Sequence, residues 1–553
     1  MNIANFIMKI LAIKAGLFEK STGDPVKVQK KVLLEFINRN KDTEYGKKYH
    51  FSSIRSVDEY RKCVPLADYE DLRPYVNRMA KGEQNVLIAD EPTFFAITSG
   101  TTSKPKLIPV SKYSRSREDN VMDIWTYYIA RDYPDVFKGK FLAIVSPALE
   151  GYTESGLSYG AESGHVYKTL PGIVRRFYAL PYQVFDIWDY DARYYCILRL
   201  AMQQNITTIG TLNPNTITLL CRKIEKWQEK IIKDIEKGTI DEEFDIPDEI
   251  RRVIEKACKP DPERARELRA ILKEKGKLLP MYFWPDLKLI ECWKAGTMKL
   301  YLKELPRYFG DTPIRDIGCH STEAHGSVPM SDEGGGGVLA ISTNFYEFIP
   351  KEDMEKSNKR VLLCDQLEDG KEYFLIVTTP CGLYRYNIDD VIKVNGFFNK
   401  TPVIEFVQKG LSAVSIGGEK LYESQVNKAL SEVLSRSGLS VEFFCVTVQH
   451  EAIPRYVFLV EFSQKTSFPE RKRFLKAMEE ELSRQNSEYG NVRRSQIIAS
   501  PVMKVAQQGE AEKYRLRKVQ EGSHDGQFKV PRLKCDPDFY KNFQIEDDVY
   551  LEK

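Results

Sequence analysis

An apolar run, Phe94-Phe95-Ala96-Ile97, leads straight into Thr98-Ser99-Gly100-Thr101-Thr102-Ser103-Lys104-Pro105-Lys106, and this junction constrains the chain more than any other stretch. The run reads as a strand. The segment after it reads as a small, hydroxyl-rich, Gly-containing loop closed by two lysines. Such a loop can present backbone N–H groups, hydroxyls and ammonium groups to a polyphosphate. It is not a Walker A loop, because Pro105 stands where the second glycine belongs, and no G-x-G-x-x-G fingerprint is present. A polar surface turn has the same composition, so the rest of the chain decides between the two.

At 553 residues the chain exceeds what one hydrophobic core accommodates, and two or more domains are expected. A hydrophobic share of 42% and a charged share of 29% fit a soluble globular protein. Lys+Arg 82 against Asp+Glu 79 leaves no charge excess that calls for nucleic acid or an anionic membrane as partner. The ten cysteines are scattered and form no C-x-x-C, which argues against a zinc ribbon or dithiol site and points to reduced thiols in a cytoplasmic protein. The start of the chain places Ile3, Phe6, Ile7, Ile10 and Leu11 on one helical face, interrupted by Lys9 and Lys14. A docked amphipathic helix is expected there, with a signal peptide or a membrane-surface anchor as the alternatives. No run of about 18 apolar residues exists, so no stable membrane insertion is expected.

Residues 26–90 read as helical and charged. Phe141-Leu142-Ala143-Ile144-Val145, Leu287-Lys288-Leu289-Ile290, Ile314-Arg315-Asp316-Ile317 and Phe374-Leu375-Ile376-Val377 read as strands. Leu220, Ile224, Trp227, Ile231 and Ile235 give residues 216–237 an apolar helical face. Residues 238–277 read as a charged helical insertion. After about residue 408 the pattern becomes a compact α+β one: a helix at 422–436, strands at 441–448 and 454–462, a helix at 469–485 and a strand near 495–500. The polar tail at 505–529 reads as a mobile loop ending in Gln527-Phe528-Lys529-Val530-Pro531-Arg532.

Two further segments carry chemistry-bearing side chains. Gly318-Cys319-His320-Ser321-Thr322-Glu323 follows a strand and precedes Phe345-Tyr346-Glu347-Phe348-Ile349-Pro350; Gly382-Leu383-Tyr384-Arg385-Tyr386-Asn387-Ile388-Asp389-Asp390-Val391 occupies a strand and its turn. Glu323 can hold Mg²⁺, which prefers carboxylate and phosphate oxygens, and Asp390 can accept hydrogen bonds from a ribose. His320 and His325 are five apart, a spacing that does not put two ligands on one helical face, so a zinc pair is not expected. Ser321 beside His320 lacks a positioned acid and makes no triad.

The order of hydroxyl loop, Ser-Thr-Glu segment, Tyr-Arg…Asp segment and small lysine-bearing C-terminal domain resembles the acyl-adenylate-forming superfamily of firefly luciferase and the acyl-CoA ligases. The chain is more similar still to the Gretchen Hagen (GH-three) family of acyl acid–amido synthetases. Asp42-Thr43-Glu44-Tyr45-Gly46, Val64-Pro65-Leu66-Ala67-Asp68-Tyr69-Glu70, Ala96 to Thr102, Phe345 to Pro350, Gly382 to Tyr386 and Gly526 to Arg532 carry this likeness along nearly the whole chain.

The resemblance implies an α/β architecture. A large N-terminal acyl-adenylating domain of mixed sheets and helices would span residues 1–407. A hinge would follow at 408–410, then a smaller, mobile α+β lid domain at 411–553. It implies ATP and Mg²⁺, a small-molecule carboxylic acid and an amino acid acceptor. The acid would attack the α-phosphate to give acyl-AMP and pyrophosphate, and the amine would then attack the acyl carbon to give an amide. By motif, Ser99, Gly100, Thr101 and Thr102 would line the phosphates. His320, Ser321, Thr322 and Glu323 would hold adenine and the metal–phosphate end, with Glu323 the metal ligand. Glu347 would be a second acid near the nucleotide, and Lys409 would lie by the hinge. Lys420 or Lys529 would be the catalytic lysine of the mobile domain. Asp390, or its neighbour Asp389 where the family usually has glycine, would bind the ribose. Ser103 stands where the wider superfamily commonly has glycine, and His320-Ser321 replaces an aromatic- or alanine-containing pair. The acyl pocket is expected from residues 115–130, 148–160 and 205–220. An acyl-CoA ligase and a non-enzymatic nucleotide-binding protein are the competing readings.

Overall fold

The computed structural model describes residues 3–98, 106–354, 356–410, 413–414, 416, 419, 421–451, 453–494, 498–521, 531–534 and 536–551. The chain divides into two compact units, Met1–Phe406 and Val407–Lys553.

In the first unit, three sheets share the work. Strands β3 (Lys140–Ala143), β6 (Ile206–Gly210), β7 (Leu289–Glu291) and β8 (Ile314–Arg315) form a parallel sheet in that order. Parallel sheets are covered on both faces, and β6 and β7 are accordingly buried at every residue. The helix Pro214–Lys237 is one cover: its Ile217, Leu220, Ile224, Trp227, Ile231 and Ile235 are all buried, as the spacing predicts. The insertion that follows is helical at Asp248–Ala257 and Pro262–Lys275 and docks through Ile254, Ala265 and Leu268. The helix Ile3–Ser21 buries Leu11, Ala15 and Phe18 against the helix Lys112–Asp132, with Lys14 paired to Asp123.

A second sheet has the order β2 (Lys106–Ser111), β1 (Pro92–Thr98), β5 (Ser158–Gly160), β4 (Gly151–Tyr152). A third, six-stranded sheet runs β11 (Phe345–Pro350), β12 (Glu372–Thr378), β13 (Tyr386–Phe398), β14 (Thr401–Lys409), β10 (Gly337–Leu339), β9 (Ser327–Val328). All six residues of β11 are buried.

The second unit has a short ribbon, β15 (Ala413–Val414) with β16 (Leu421–Tyr422), and a four-stranded sheet. That sheet runs β17 (Val441–Gln449), β18 (Arg455–Phe462), β19 (Val502–Ala506), β20 (Ile545–Tyr550), with β18 and β19 parallel and the other pairs antiparallel. The helices Glu423–Ser437 and Phe468–Gln485 pack on each other. Two expectations are corrected here. The strand expected near 495–500 lies instead at β19, beyond Pro501, where Val502 to Val505 pair in register with Val457 to Val460. The polar tail expected to be a loop contains the helix Glu510–Gln520. Its charges pair three residues apart (Glu510–Lys513, Glu512–Arg515), and Glu461 accepts hydrogen bonds from the N–H groups of Gly509 and Ala511 at the helix start. Its Tyr514 is buried in an aromatic cluster with Phe443, Phe539 and Phe543. Among the described residues no helix is long and apolar enough to cross a membrane.

Removing the Tyr514 ring leaves a cavity in that cluster. Tyr514→Ala should destabilise the chain by about 3 kcal/mol, read as a lower urea midpoint; an unchanged midpoint refutes the packing role. A second expectation concerns Glu291, at the end of β7. Burial pushes its carboxyl up to about 8 from the ordinary 4.5, with Arg315 acting the other way. Between those values the folded chain holds a proton that the unfolded chain has lost, so stability falls as pH rises. Glu291→Gln should therefore gain on the wild type between about pH 5 and about pH 8, by up to about 1.4 kcal/mol per pH unit. Parallel pH–stability curves for the two proteins would sink this account.

Candidate active site

The hydroxyl-rich segment connects two antiparallel partners. β1 and β2 pair from Ile97↔Leu107 to Thr98↔Lys106, so the chain leaves and re-enters the sheet at adjacent positions. Ser99, Gly100, Thr101 and Thr102 lie outside the described residues, as does Ser103. Lys106, the first described residue after them, is held in place. Its Nζ donates to the Tyr386 hydroxyl at 3.1 Å and lies 5.6 Å from the Tyr69 ring centre and 5.8 Å from that of Tyr386. Tyr69 is itself fixed across the base of β2: its hydroxyl donates to the Leu107 carbonyl and accepts from the Leu107 N–H, both at 2.7 Å.

Residues 318–326 form a tight hairpin. Gly326 N donates to the Cys319 carbonyl at 2.6 Å, His320 and His325 pair as an antiparallel bridge, and Ser321 N donates to the Ala324 carbonyl at 3.1 Å. The Ser321 hydroxyl accepts from Ala324 N at 3.3 Å, which closes the tip. Gly318 (φ 86°) enters this hairpin where a Cβ would meet the Ser327 carbonyl at 2.7 Å. The tip carries Thr322 and Glu323. Glu323 is only 6% exposed, yet among the described residues its carboxylate makes no hydrogen bond or ion pair. A buried carboxylate in that state suits a cation.

The third segment is built by strain and its restraint. Arg385 has φ 44°, in the left-handed region where a bulky residue is costly. Its guanidinium reaches both oxygens of Glu347 at 2.9 and 3.1 Å, and Arg61 donates to the same carboxylate at 2.8 Å. Arg385 also donates to the Val64 carbonyl at 2.8 Å; its own carbonyl accepts from Ala67 N at 3.1 Å, and Asn387 N donates to the Ala67 carbonyl at 2.8 Å. Tyr386, next in the chain, is thereby directed to Lys106. Burial, with Glu323 and Asp390 close by, raises the Tyr386 phenol far above its usual range, so it stays protonated. Asp389 and Asp390 lie in a bulge of β13, where three residues between Asn387 and Val391 face the single Leu375 between Ile376 and Phe374. Asp389 has φ 63° and is exposed; Asp390 is half-buried.

Glu323, Tyr386, Asp390 and Lys106 are thus brought together from three separate segments. Ser321 and Thr322 stand on the same hairpin as Glu323. Glu347 is not open to this cluster: both of its oxygens are taken by Arg385 and one also by Arg61, and it is 1% exposed. Lys409 ends β14, but its side chain lies outside the described residues, as do Lys420 and Lys529 entirely. Tyr69 and Tyr386 stand in the quoted motifs without a role, and Lys106 only as one of the two lysines closing the loop. The signal that would have singled them out is two tyrosines and a lysine recurring at the ends of chemistry-bearing segments.

The two histidines of the hairpin correct an expectation. Five-residue spacing excludes a shared face only on a helix; across this hairpin it makes them direct partners, with ring centres 3.5 Å apart. Glu162, the first residue of the helix Glu162–Thr169, joins them, and the ligand atoms of all three lie within 4.8 Å of one another. Burial lowers the proton affinity of both imidazoles, well below the usual range for His325. Arg115 sits beside Glu162 at 3.3 Å and Glu118 at 3.7 Å. Burial, reinforced by Glu162, raises the Glu118 carboxyl well above its ordinary range.

The architecture is that of a solved acyl acid amido synthetase. It is similar to the structure named GH3.15 acyl acid amido synthetase with TM-score 0.86 and 23% identity, over 98% of this chain and 97% of that one. Matches to the GH3 family N-terminal, central and C-terminal domains at residues 14–314, 337–409 and 423–538 show that the chain belongs to the GH3 family. It is 26% identical to jasmonoyl–L-amino acid synthetase JAR4 of Nicotiana attenuata, over 93% of this chain and 92% of that protein. It is 27% identical to indole-3-acetic acid-amido synthetase GH3.10 of Arabidopsis thaliana, over 94% of each.

The positive φ of Asp389 accounts for the glycine usual at this position. Asp389→Gly should raise stability by about 0.5–1 kcal/mol through relief of that strain. A melting temperature that falls on this substitution would show that the Asp389 side chain, and not the backbone, is what the position requires.

Proposed function

We propose that this chain is an ATP-dependent acyl acid–amido synthetase: it activates a carboxylic acid as its acyl-adenylate and passes the acyl group to the amine of an amino acid. The observation that carries the reading is the convergence of Lys106, Tyr386, Glu323 and Asp390 beside the ends of the hydroxyl-rich segment. Membership of the GH3 family and relatives named as jasmonoyl– and indole-3-acetic acid–amido synthetases support it along the whole chain.

In the first step the carboxylate attacks the α-phosphorus of ATP and pyrophosphate leaves. Negative charge grows on phosphate oxygens, and fixed donors aimed at them lower the barrier. Lys106, pinned between Tyr69 and Tyr386, is a preorganised cation for this purpose. Ser99, Thr101 and Thr102, with Gly100, are assigned to the phosphates, and Ser321 and Thr322 to the adenine side, with His320 turned to His325 across the hairpin. Asp390 is assigned to the ribose hydroxyls; the bulge turns Asp389 outward and supports this choice of the two. Mg²⁺, when bound, would neutralise phosphate charge, and Glu323, buried without a described partner, is the residue to hold it. Glu347 serves by positioning: it fixes Arg385 and so the Tyr386 hydroxyl.

In the second step the neutral amine attacks the acyl carbon and AMP leaves. No covalent enzyme intermediate is required, so the demand is for placement. Residues 408–410 are assigned as a hinge and residues 411–553 as a lid, with Lys420 or Lys529 reaching the phosphate in one step and withdrawing for the other.

Pyrophosphate–ATP exchange across a panel of aromatic and aliphatic acids tests the first step. Glu323→Ala and Asp390→Ala should each lower exchange by about 100-fold or more with the melting temperature preserved; exchange at the wild-type rate in either refutes its assignment. Supplying amino acids or CoA to the charged enzyme tests the second step. Amide formation is expected, and thioester formation without amide would overturn the acceptor.

A further inference from the structure

We propose that Glu162, His320 and His325 form a binding site for a late first-row divalent cation of the zinc kind, distinct from the carboxylate at Glu323. Two imidazoles and one carboxylate, each able to offer a donor within 4.8 Å of the others, are a donor set that suits zinc and its neighbours and not magnesium. A tetrahedral zinc holds its donors about 3.4 Å apart, so closing the set asks for side-chain shifts of about an ångström. Three protein ligands leave a fourth position open to water.

The site is built from two anchored elements. The hairpin 318–326 holds both histidines as cross-strand partners, and the Tyr346 hydroxyl fixes the His325 backbone by donating to its carbonyl at 2.7 Å. Glu162 begins a helix that is anchored to β1 by His165 stacking on Phe94 at 4.0 Å. His325 is 4% exposed, and its Nε2 is buried with no hydrogen-bond partner among the described residues. An imidazole nitrogen left so keeps its desolvation cost uncompensated, and a metal ion satisfies it. Around the ligating carboxylate stand Arg115 and Glu118. Arg115 opposes a cation, but Asp119 at 2.7 Å and Glu118 at 3.7 Å share its charge, and its hydrogen bond to Glu162 Oε1 orients the carboxylate as outer partners of metal ligands do. Bound there, the cation would tie the helix to the hairpin that also carries Glu323.

The test uses the full chain, stripped with a chelator and free of nucleotide, titrated with ZnSO4 by calorimetry and with CoCl2 by visible absorption. One equivalent should bind at micromolar or lower free zinc, and Co²⁺ should show the intense visible bands of a low-coordinate site. His325→Gln, His320→Asn and Glu162→Gln should each weaken binding by about tenfold or more and weaken the Co²⁺ bands. His450→Gln and Glu323→Ala should bind as the wild type does, the latter separating this site from a magnesium ligand. Circular dichroism identifies any variant that fails to fold, and the remaining two then carry the comparison. No zinc uptake by the wild type, or uptake unchanged in the ligand variants, overturns the proposal.

Discussion

The pairing of Arg385 with Glu347 is the contact on which the rest of the candidate site depends. A buried ion pair is a poor source of net stability, because desolvating both charges offsets most of their attraction. Its effect here is geometric. Arg385 sits at a positive φ that costs on the order of 1–3 kcal/mol, and it stays there because its guanidinium is bound to Glu347, Val64 and the backbone near Arg61. The residues on either side are thereby sent in fixed directions. Tyr384 stacks on Tyr45 at 4.8 Å and donates to the Leu87 carbonyl, while Tyr386 meets Lys106. One strained residue thus aligns the segment before β13 with the N-terminal helices on one side and with the base of β2 on the other.

The electrostatics follow from that alignment. Tyr386 stays protonated among carboxylates, so its hydroxyl holds Lys106 without adding charge. Lys106 has two aromatic neighbours and, among the described residues, a single hydrogen bond, so its ammonium group is available to an incoming anion. Glu323 presents the complementary case, a carboxylate buried without a described partner. A cation and an anion held apart, each incompletely satisfied, suit a ligand that is itself both anionic and metal-bound.

The parts of this that were legible in the sequence were those with strong local period or composition. The helix Pro214–Lys237, strands β17 and β18 and the helices Glu423–Ser437 and Phe468–Gln485 fall within a residue or two of their expected bounds. Failures occurred where a partner distant in sequence decides. Ile498 and Ala499 are as apolar as Val502 and Met503, and pairing with β18 on one side and β20 on the other selects the latter run. The helix Glu510–Gln520 was hidden by polarity, because its anchors, Glu461 and the ring of Phe443, come from other strands. Glu323 and Asp390 could be named from motifs. That Glu347 is closed by Arg61 and Arg385 could not, since the three come from distant segments that only the tertiary fold brings together.

The hairpin 318–326 carries the heaviest constraint of register. Its two histidines meet only because they are paired across it, and Glu323 lies near enough to act on Tyr386 electrostatically only because the tip closes at Ser321 and Ala324. A slip of one residue would reverse side-chain facing, separating His320 from His325 and moving Glu323 off the tip. The backbone prevents this at both ends. Gly318 is at a positive φ with no room for a Cβ beside the Ser327 carbonyl, and a Cβ at Gly326 would meet the Cys319 carbonyl at 2.9 Å. A displaced register would set bulkier residues at these two places. The same pair of glycines therefore fixes the position of Glu323 and of the imidazole pair together, and neither can be repositioned without the other.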